Sequence, residues 1–213
     1  MIITFGNTTA ETLGLKLFAL STPPPEPKTS YIDVPGRDGS IDVSALDGFV
    51  HYKDRTITLS FSYFGSYSQW FAAVSQLNSL LLGQKLKLTI SDDPGYYYLG
   101  RFSVSTDKSN PVSGDIVVTG QCSPYKFKTN VTVVEQDISG SAEITLANER
   151  MPTTPTITTD AEMQLVWGAS GENSLTLNAG THRYTGLLLL EGDNEFTVNG
   201  TGHIKFEYQE GAL

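Results

Sequence analysis

The chain has 213 residues, 39% of them hydrophobic and 17% charged, which suffices for a packed core and is too apolar for a disordered segment. Its formal net charge of −9 repels phosphate backbones, and no basic run in the sequence reverses that field locally, which argues against tight nucleic-acid binding. A single cysteine, Cys122, excludes an internal disulfide framework and a multi-cysteine metal site.

The opening MIITFGNTTAE has neither a basic n-region nor an apolar h-region, and no stretch approaches the roughly 18 apolar residues of a membrane span. Folding in a cytoplasm and no membrane insertion are therefore expected. Ile2-Ile3-Thr4-Phe5 and Leu13 to Phe18 read as short strands. Pro23-Pro24-Pro25-Glu26-Pro27 follows, where fixed φ and missing N–H donors disfavour helix and ladder alike. It opens an extended arm, residues 21–50, in which Tyr31, Val34, Ile41 and Val43 mark short β-prone pieces. These surround the turn signals Pro35-Gly36 and Asp38-Gly39. From Arg55 to Tyr63 the chain alternates strictly. Ile57, Leu59, Phe61 and Tyr63 fall on one face and Thr56, Thr58, Ser60 and Ser62 on the other, the pattern of a half-buried antiparallel strand.

Residues 66–83 break the β pattern. Trp70, Val74, Leu77 and Leu81 share one helical face, with Ser66 or Ser68 as N-cap and Gly83 as the stop, so one amphipathic helix packs on the sheet. Lys85 to Ile90 is a further strand. Asp92-Asp93-Pro94-Gly95 is a turn leading through Tyr96-Tyr97-Tyr98 into the next, and Asp115 to Cys122 is another. Cys122 at the end of such a strand reads as a small buried hydrophobe. Composition shifts near residue 135. Eight short strands follow: Ala142–Leu146, Pro155–Thr159, Met163–Trp167, Ser174–Leu177, His182–Thr185, Leu187–Leu190, Glu195–Val198 and His203–Tyr208. The expected organisation is mainly β: an antiparallel sandwich-like domain with one helix and an arm over residues 1–134, then a small β-sandwich over residues 135–213.

Signs of catalysis are sparse. His51, His182 and His203 stand apart, with no partner at metal-ligand spacing, and each reads more simply as a surface or packed histidine. Asp92-Asp93 before Pro-Gly reads as a turn cap rather than a metal or acid/base pair. Gly36-Arg37-Asp38-Gly39 lacks the helix that a phosphate loop requires. The lysines Lys126 and Lys128 are the densest basic spot in the sequence and read as a solvated strand face. No cofactor, no metal and no enzymatic turnover are expected. Trp167, Tyr184 and Tyr208 could line a sugar-stacking platform, although half-buried aromatics are also the ordinary filling of a small sandwich.

Several pieces in register carry a resemblance. They are Tyr31-Ile32-Asp33-Val34-Pro35-Gly36-Arg37-Asp38-Gly39, Asp42 to Gly48, the strand from Tyr52 to Phe61, and Trp70 in a helix ending before Leu82-Gly83. Further on come Asp92-Asp93-Pro94 with Tyr96 to Arg101, and Cys122-Ser123-Pro124-Tyr125-Lys126. This order resembles the distal tail protein (Dit) family of long, non-contractile-tailed phages (siphophages). The resemblance covers about residues 1–130, and the closing Phe206 to Leu213 also looks like the family's ending.

The resemblance implies an N-terminal β domain that assembles into a homo-hexameric ring and a C-terminal galectin-like sandwich. It implies a virion tail-tip location, assembly in the host cytoplasm, and a role as the baseplate hub between tail tube and tip. The implied partners are the tail tube protein, the tail-associated lysin or tip protein and a receptor-binding protein, with DNA only in transit through the channel. With about 75 residues after the boundary there is no room for an added sugar-binding module, which favours a plain hub. The ring seam is expected at Tyr31, Asp33, Val34, Pro35, Gly36, Arg37 and Asp38. The alternative is a carbohydrate-binding module contacting host cell-wall saccharide through Trp167, Tyr184 and Tyr208.

Overall fold

The computed structural model describes residues 1–168 and 171–213, which divide into two compact units, Met1–Lys126 and Phe127–Leu213. The boundary expected at residue 135 falls inside a strand of the second unit.

The first unit is a seven-stranded antiparallel sheet. Its strands are β1 (Ile3–Phe5), β2 (Thr8–Thr9), β3 (Leu15–Ser21), β6 (Arg55–Phe64), β7 (Lys85–Ile90), β8 (Tyr96–Asp107) and β9 (Ser113–Cys122). They run in the order β2-β1-β7-β8-β9-β6-β3. The expected strand from Leu13 begins at Leu15, because Ala10–Leu13 forms a 3-10 turn that Gly14 ends at φ 74°. Between β3 and β6 lies a separate two-stranded hairpin, β4 (Tyr31–Ile32) and β5 (Ile41–Asp42).

Alternation in β6 plays out as the sequence dictates: Ile57, Leu59 and Phe61 are fully buried and Tyr63 nearly so, while Thr58, Ser60 and Ser62 sit on the wetter face. Phe5, Leu88, Phe102, Ile116 and Val118 complete that core. The helix α1 (Tyr67–Leu81) closes it with Trp70, Ala73, Leu77 and Leu81, while Val74 is only partly buried. Its start is a capping box. The Ser66 hydroxyl accepts from the Gln69 N–H, and the Gln69 side chain accepts from the Ser66 N–H at 2.9 Å, so two otherwise unpaired donors are satisfied. Trp70 packs this closely on β9 only because Gly114 lies against it; a Cβ there would come within 2.6 Å of the indole.

The second unit is organised by two 17-residue strands, β11 (Thr132–Asn148) and β16 (Gly192–Tyr208), paired along their full length. A short β10 (Lys126–Lys128) precedes them, and β17 (Gly211–Ala212) closes the chain and pairs with it. The other edge of β16 is shared. β13 (Met163–Trp167) pairs with residues 196–200, and β12 (Thr156–Thr159) pairs with residues 204–207. β14 (Asn173–Leu177) and β15 (Gly180–Arg183) extend the two halves.

Phe196 and Phe206 stack at 6.1 Å although ten residues apart, which would be about 33 Å on a straight strand. The strand therefore doubles back, and the glycines between its halves, Gly200 (φ 149°) and Gly202 (φ 145°), permit it. One folded sheet thus wraps both sides of a core built from Ile144, Leu146, Ile157, Leu165, Val198 and Phe206.

Two expectations are corrected here. Glu195–Val198 and His203–Tyr208 are one bent strand. Leu187–Leu190 is not a strand but a connection held by a single bridge between Thr153 and Leu189, with Leu187 and Leu189 buried and Leu188 and Leu190 exposed.

Candidate assembly surface

The most unusual feature of the first unit is the segment between β3 and β6. From Glu26 to Asp54 no residue reaches the core. Backbone pairing and a few exposed side-chain hydrogen bonds hold it in shape. At its base Pro27 bridges Tyr52, the Lys28 N–H donates to the His51 carbonyl at 2.7 Å, and the Lys53 N–H donates to the Glu26 carbonyl at 2.8 Å. Further out, Tyr31 pairs with Asp42 and Ile32 with Ile41, and the Val43 N–H donates to the Ser30 carbonyl. The hairpin tip turns through Gly36 (φ 82°) and Gly39 (φ 72°), where an L side chain would be strained. Across the tip the Ser40 hydroxyl donates to the Asp33 carboxylate at 2.6 Å.

The root is better anchored. Arg55, 5% exposed, donates from Nε to the Pro124 carbonyl at 2.8 Å and from Nη2 to the same oxygen. Its guanidinium lies over the Tyr98 ring at 5.4 Å, and burial pulls its pKa below the usual arginine value. Tyr52 meets Tyr125 edge-on at 5.8 Å. The arm is thus fixed where it leaves the sheet and uncovered beyond.

Its uncovered residues are apolar as well as charged: Tyr31 is 59% exposed, Ile32 52% and Leu46 83%. Tyr31, Asp33, Val34, Pro35, Gly36, Arg37 and Asp38 all lie together on this exposed hairpin and its tip. A soluble chain rarely leaves such residues together in water without a partner that covers them. A second exposed apolar set surrounds the β6–α1 turn, with Phe64, Phe71 and Val112 each more than half exposed.

The aromatics of the second unit do not form a shared platform. Tyr208 is core, 3% exposed, with its hydroxyl donating to the Ala147 carbonyl at 2.5 Å. Tyr184 stacks on His182 at 5.8 Å beyond the end of β15, on the half of β16 that β12 serves. Trp167 pairs across to Phe196 on the other half and is only partly buried, beside a shallow pocket of about 190 Å3 with Glu143, Glu195 and Thr197 in its wall.

The remaining polar residues serve local structure. Asp93 accepts from Lys126 at 2.9 Å and from the Tyr98 hydroxyl at 3.3 Å, and Asp92 accepts from Ser91. His51 bonds Asp47 and His182 bonds the Asn178 carbonyl, each at 2.8 Å. Among the described residues no group of three or more His, Cys, Asp or Glu is placed to hold a metal ion. Cys122 is fully buried and its thiol is pushed up to about 11 by desolvation.

The basic surface lies elsewhere than the sequence suggests. Lys126 is taken by Asp93, and Lys128 by Glu210 and Glu149. Three exposed cations that make no ion pair among the described residues, Lys85, Lys87 and Arg101, are set side by side by the β7–β8 register, Lys85 opposite Arg101. The Lys-Leu-Lys alternation before the Asp92–Gly95 hairpin was the signal that could have found them.

These features define a mainly β chain of two units, with one helix and a long, uncovered arm. No protein-family description matches the sequence, and no curated protein is significantly similar to it. A solved structure does match in fold. The crystal structure of the Dit protein of phage SPP1 superposes with a TM-score of 0.68 over 98% of this chain and 98% of that one, at 14% identity. That protein is described as a paradigm of hub adsorption apparatus in phages infecting Gram-positive bacteria.

Proposed function

We propose that this chain is a structural hub of a phage tail. In this reading six copies close into a ring that joins the tail tube to the tip or baseplate and leaves a channel through which DNA passes. The single observation that carries the reading is the shared fold with the SPP1 Dit protein over nearly the whole of both chains.

The arm supports it independently. Twenty-nine consecutive residues from Glu26 to Asp54 without a buried member need an outside surface, and cyclic head-to-tail packing supplies one to every copy. The seam then runs through Tyr31 and Asp33 to Asp38. A net charge of −9 suits a channel wall that DNA slides past. The hub works by contact with tube, tip and receptor-binding proteins, without turnover, in the virion after assembly in the host cytoplasm.

Light scattering after gel filtration, with negative-stain images of the main peak, tests the ring. A mass near six chains and annular particles are expected, and a monomer at every concentration and salt counts against it.

One observation favours a second reading on the second unit: Trp167 remains partly exposed beside its polar pocket. Tyr208 has no place in such a site. Calorimetric titration with cell-wall polysaccharide should give no saturable heat for a pure hub, whereas heat lost on Trp167→Ala would assign a saccharide contact.

A further inference from the structure

The arm and the basic cluster of the first unit are complementary in charge, unpaired in the monomer, and rooted at the same end of one sheet. Residues 29–50 carry four aspartates, Asp33, Asp38, Asp42 and Asp47, against one arginine, Arg37. Only Asp47 meets an ionisable partner, His51, and all four aspartates are exposed, with only Val43, Ser44 and Phe49 half-buried among residues 29–50. Lys85, Lys87 and Arg101 make no ion pair among the described residues.

Two of these cations are nevertheless held in position. Lys87 lies over the Tyr97 ring at 4.2 Å, and Arg101 donates to the Gly83 carbonyl at 2.9 Å beyond the helix end. The three form a stripe on the outer face of β7 and β8, with Lys85 placed beside Arg101 by the strand register. The carboxylates of that face, Asp107 and Asp115, pair opposite each other at the far end of β8 and β9 and do not neutralise it.

The register places the arm's root level with the stripe. Arg101 is opposite Gln121, and Gln121 is opposite Thr56, one residue into β6 from the arm's return. The arm leaves from the β3–β6 side of the sheet, whereas the stripe begins one strand inside the β2–β1 side. Strands spaced about 4.8 Å apart put the stripe roughly 10–15 Å from that opposite edge. The 17 residues from Thr22 to Asp38 can reach up to about 50 Å when extended.

We infer that the Lys85–Lys87–Arg101 stripe is the receptor for the acidic arm of a neighbouring copy. The arm's aspartates then pair with the stripe while Tyr31, Ile32 and Val34 cover the sheet face around it. Each copy presents both halves of the contact, so the contact is heterologous, the head-to-tail kind from which a ring is built when the rotation between copies closes. This rests on the ring reading above and names the receiving face that reading leaves open.

The test is assembly of the full chain in three forms: wild type, the stripe reversal Lys85→Glu/Lys87→Glu/Arg101→Glu, and that reversal combined with Asp33→Lys/Asp38→Lys/Asp42→Lys. Circular dichroism melting checks that each folds. The stripe reversal should raise the concentration for half-assembly by about tenfold or more, since it sets like charges against each other, and the combined variant should recover most of that loss. Molar salt should weaken wild-type assembly in the same direction. Carbodiimide cross-linking of mixed light and heavy-isotope protein should join Lys85 or Lys87 of one copy to an arm aspartate of the other.

Unchanged assembly of the reversal overturns the stripe contact and leaves the ring standing. A wild type that never assembles removes both. Cross-links confined to single chains would make the contact intramolecular and overturn the proposal. So would a stripe-dependent mobility shift of duplex DNA with assembly unaffected, which would make the stripe a polyanion site.

Discussion

Strand β6 and the arm that precedes it are neighbours in sequence, both rich in β-branched and aromatic residues, and the chain treats them oppositely. Ile57 and Phe61 are fully buried, whereas Ile32 is 52% exposed and Tyr31 59%. The difference lies in what each segment has to lean on. β6 has β9 on one side, β3 on the other and a helix over its apolar face, so its alternation finds a core. The arm has only itself: two short pairings and a turn, a hairpin of the size that is marginal in water. One segment is specified by its own chain, and the other finds no covering surface in it.

Stability measurements should separate the two sharply. Phe61→Ala empties a fully buried site and should cost about 3–5 kcal/mol in urea unfolding of the first unit. Ile32→Ala should move the same curve by less than about 0.5 kcal/mol, while weakening assembly. Equal effects on unfolding would mean that the arm is part of the core after all. At the junction, Arg55→Met keeps the apolar stem but withdraws both donors from the Pro124 carbonyl, and should cost about 1–3 kcal/mol. Limited proteolysis of that variant should cut first within residues 26–54, because the root of the arm loosens before the sheet does.

How much of this was legible in the sequence depends on whether the deciding contacts were local. The β6 alternation and the serine N-cap of α1 are short-range, and both elements formed where the pattern placed them, with Ser66 rather than Ser68 as the cap. The doubling back of β16 was not visible. Gly200 and Gly202 read as a turn between two strands, yet β11 pairs straight through them and keeps one strand running. Leu187–Leu190 has strand composition, but Leu187 and Leu189 fill the second core from a connection rather than from a ladder. Tyr208 leaves the aromatic triad because it alternates inward with Ile204 and Phe206, a parity that the expected His203–Tyr208 strand already carried. The basic stripe spans two strands, so a linear scan found Lys126 and Lys128 instead, both of which the fold pairs with carboxylates.

Thiol chemistry gives a finer contrast between the regions. Cys122 ends β9 in the core with its pKa raised to about 11, so at pH 8 roughly one thiol in a thousand is ionised, and none is accessible without opening of the sheet. An aromatic disulfide reagent should leave native protein almost unlabelled and label it fully in denaturant. A Ser40→Cys arm variant should react at once in the monomer, and assembly into the proposed ring should protect it. Fast labelling of Cys122 in native protein would show that the sheet opens near the arm's root.

The smallest expected effect lies in the second unit, where His203 occupies a place between the rigid and uncovered extremes. Its Nδ1 is 2.8 Å from the Asp137 carboxylate, its Nε2 is 3.9 Å from Glu135, and its backbone N–H donates to Asp160 at 2.7 Å. The hydrogen bond to Asp137 is the largest cause raising its pKa above the ordinary histidine value, with the charges of Asp137, Glu135 and Asp160 adding to it. A histidine with a raised folded pKa contributes stability fully below its unfolded value of about 6.5 and loses it as pH rises through the folded value. The contribution is small, because the site is open to solvent and screened. NMR titration should place the His203 midpoint above 6.5, and Asp137→Asn should lower it toward that value while leaving the fold intact. Salt should shift the wild-type midpoint in the same direction, since the neighbouring charges act through water. A midpoint that ignores Asp137→Asn would mean that the ring does not hold this carboxylate in solution. The turn of β16 would then be fixed by its glycines and by the backbone bond to Asp160 alone.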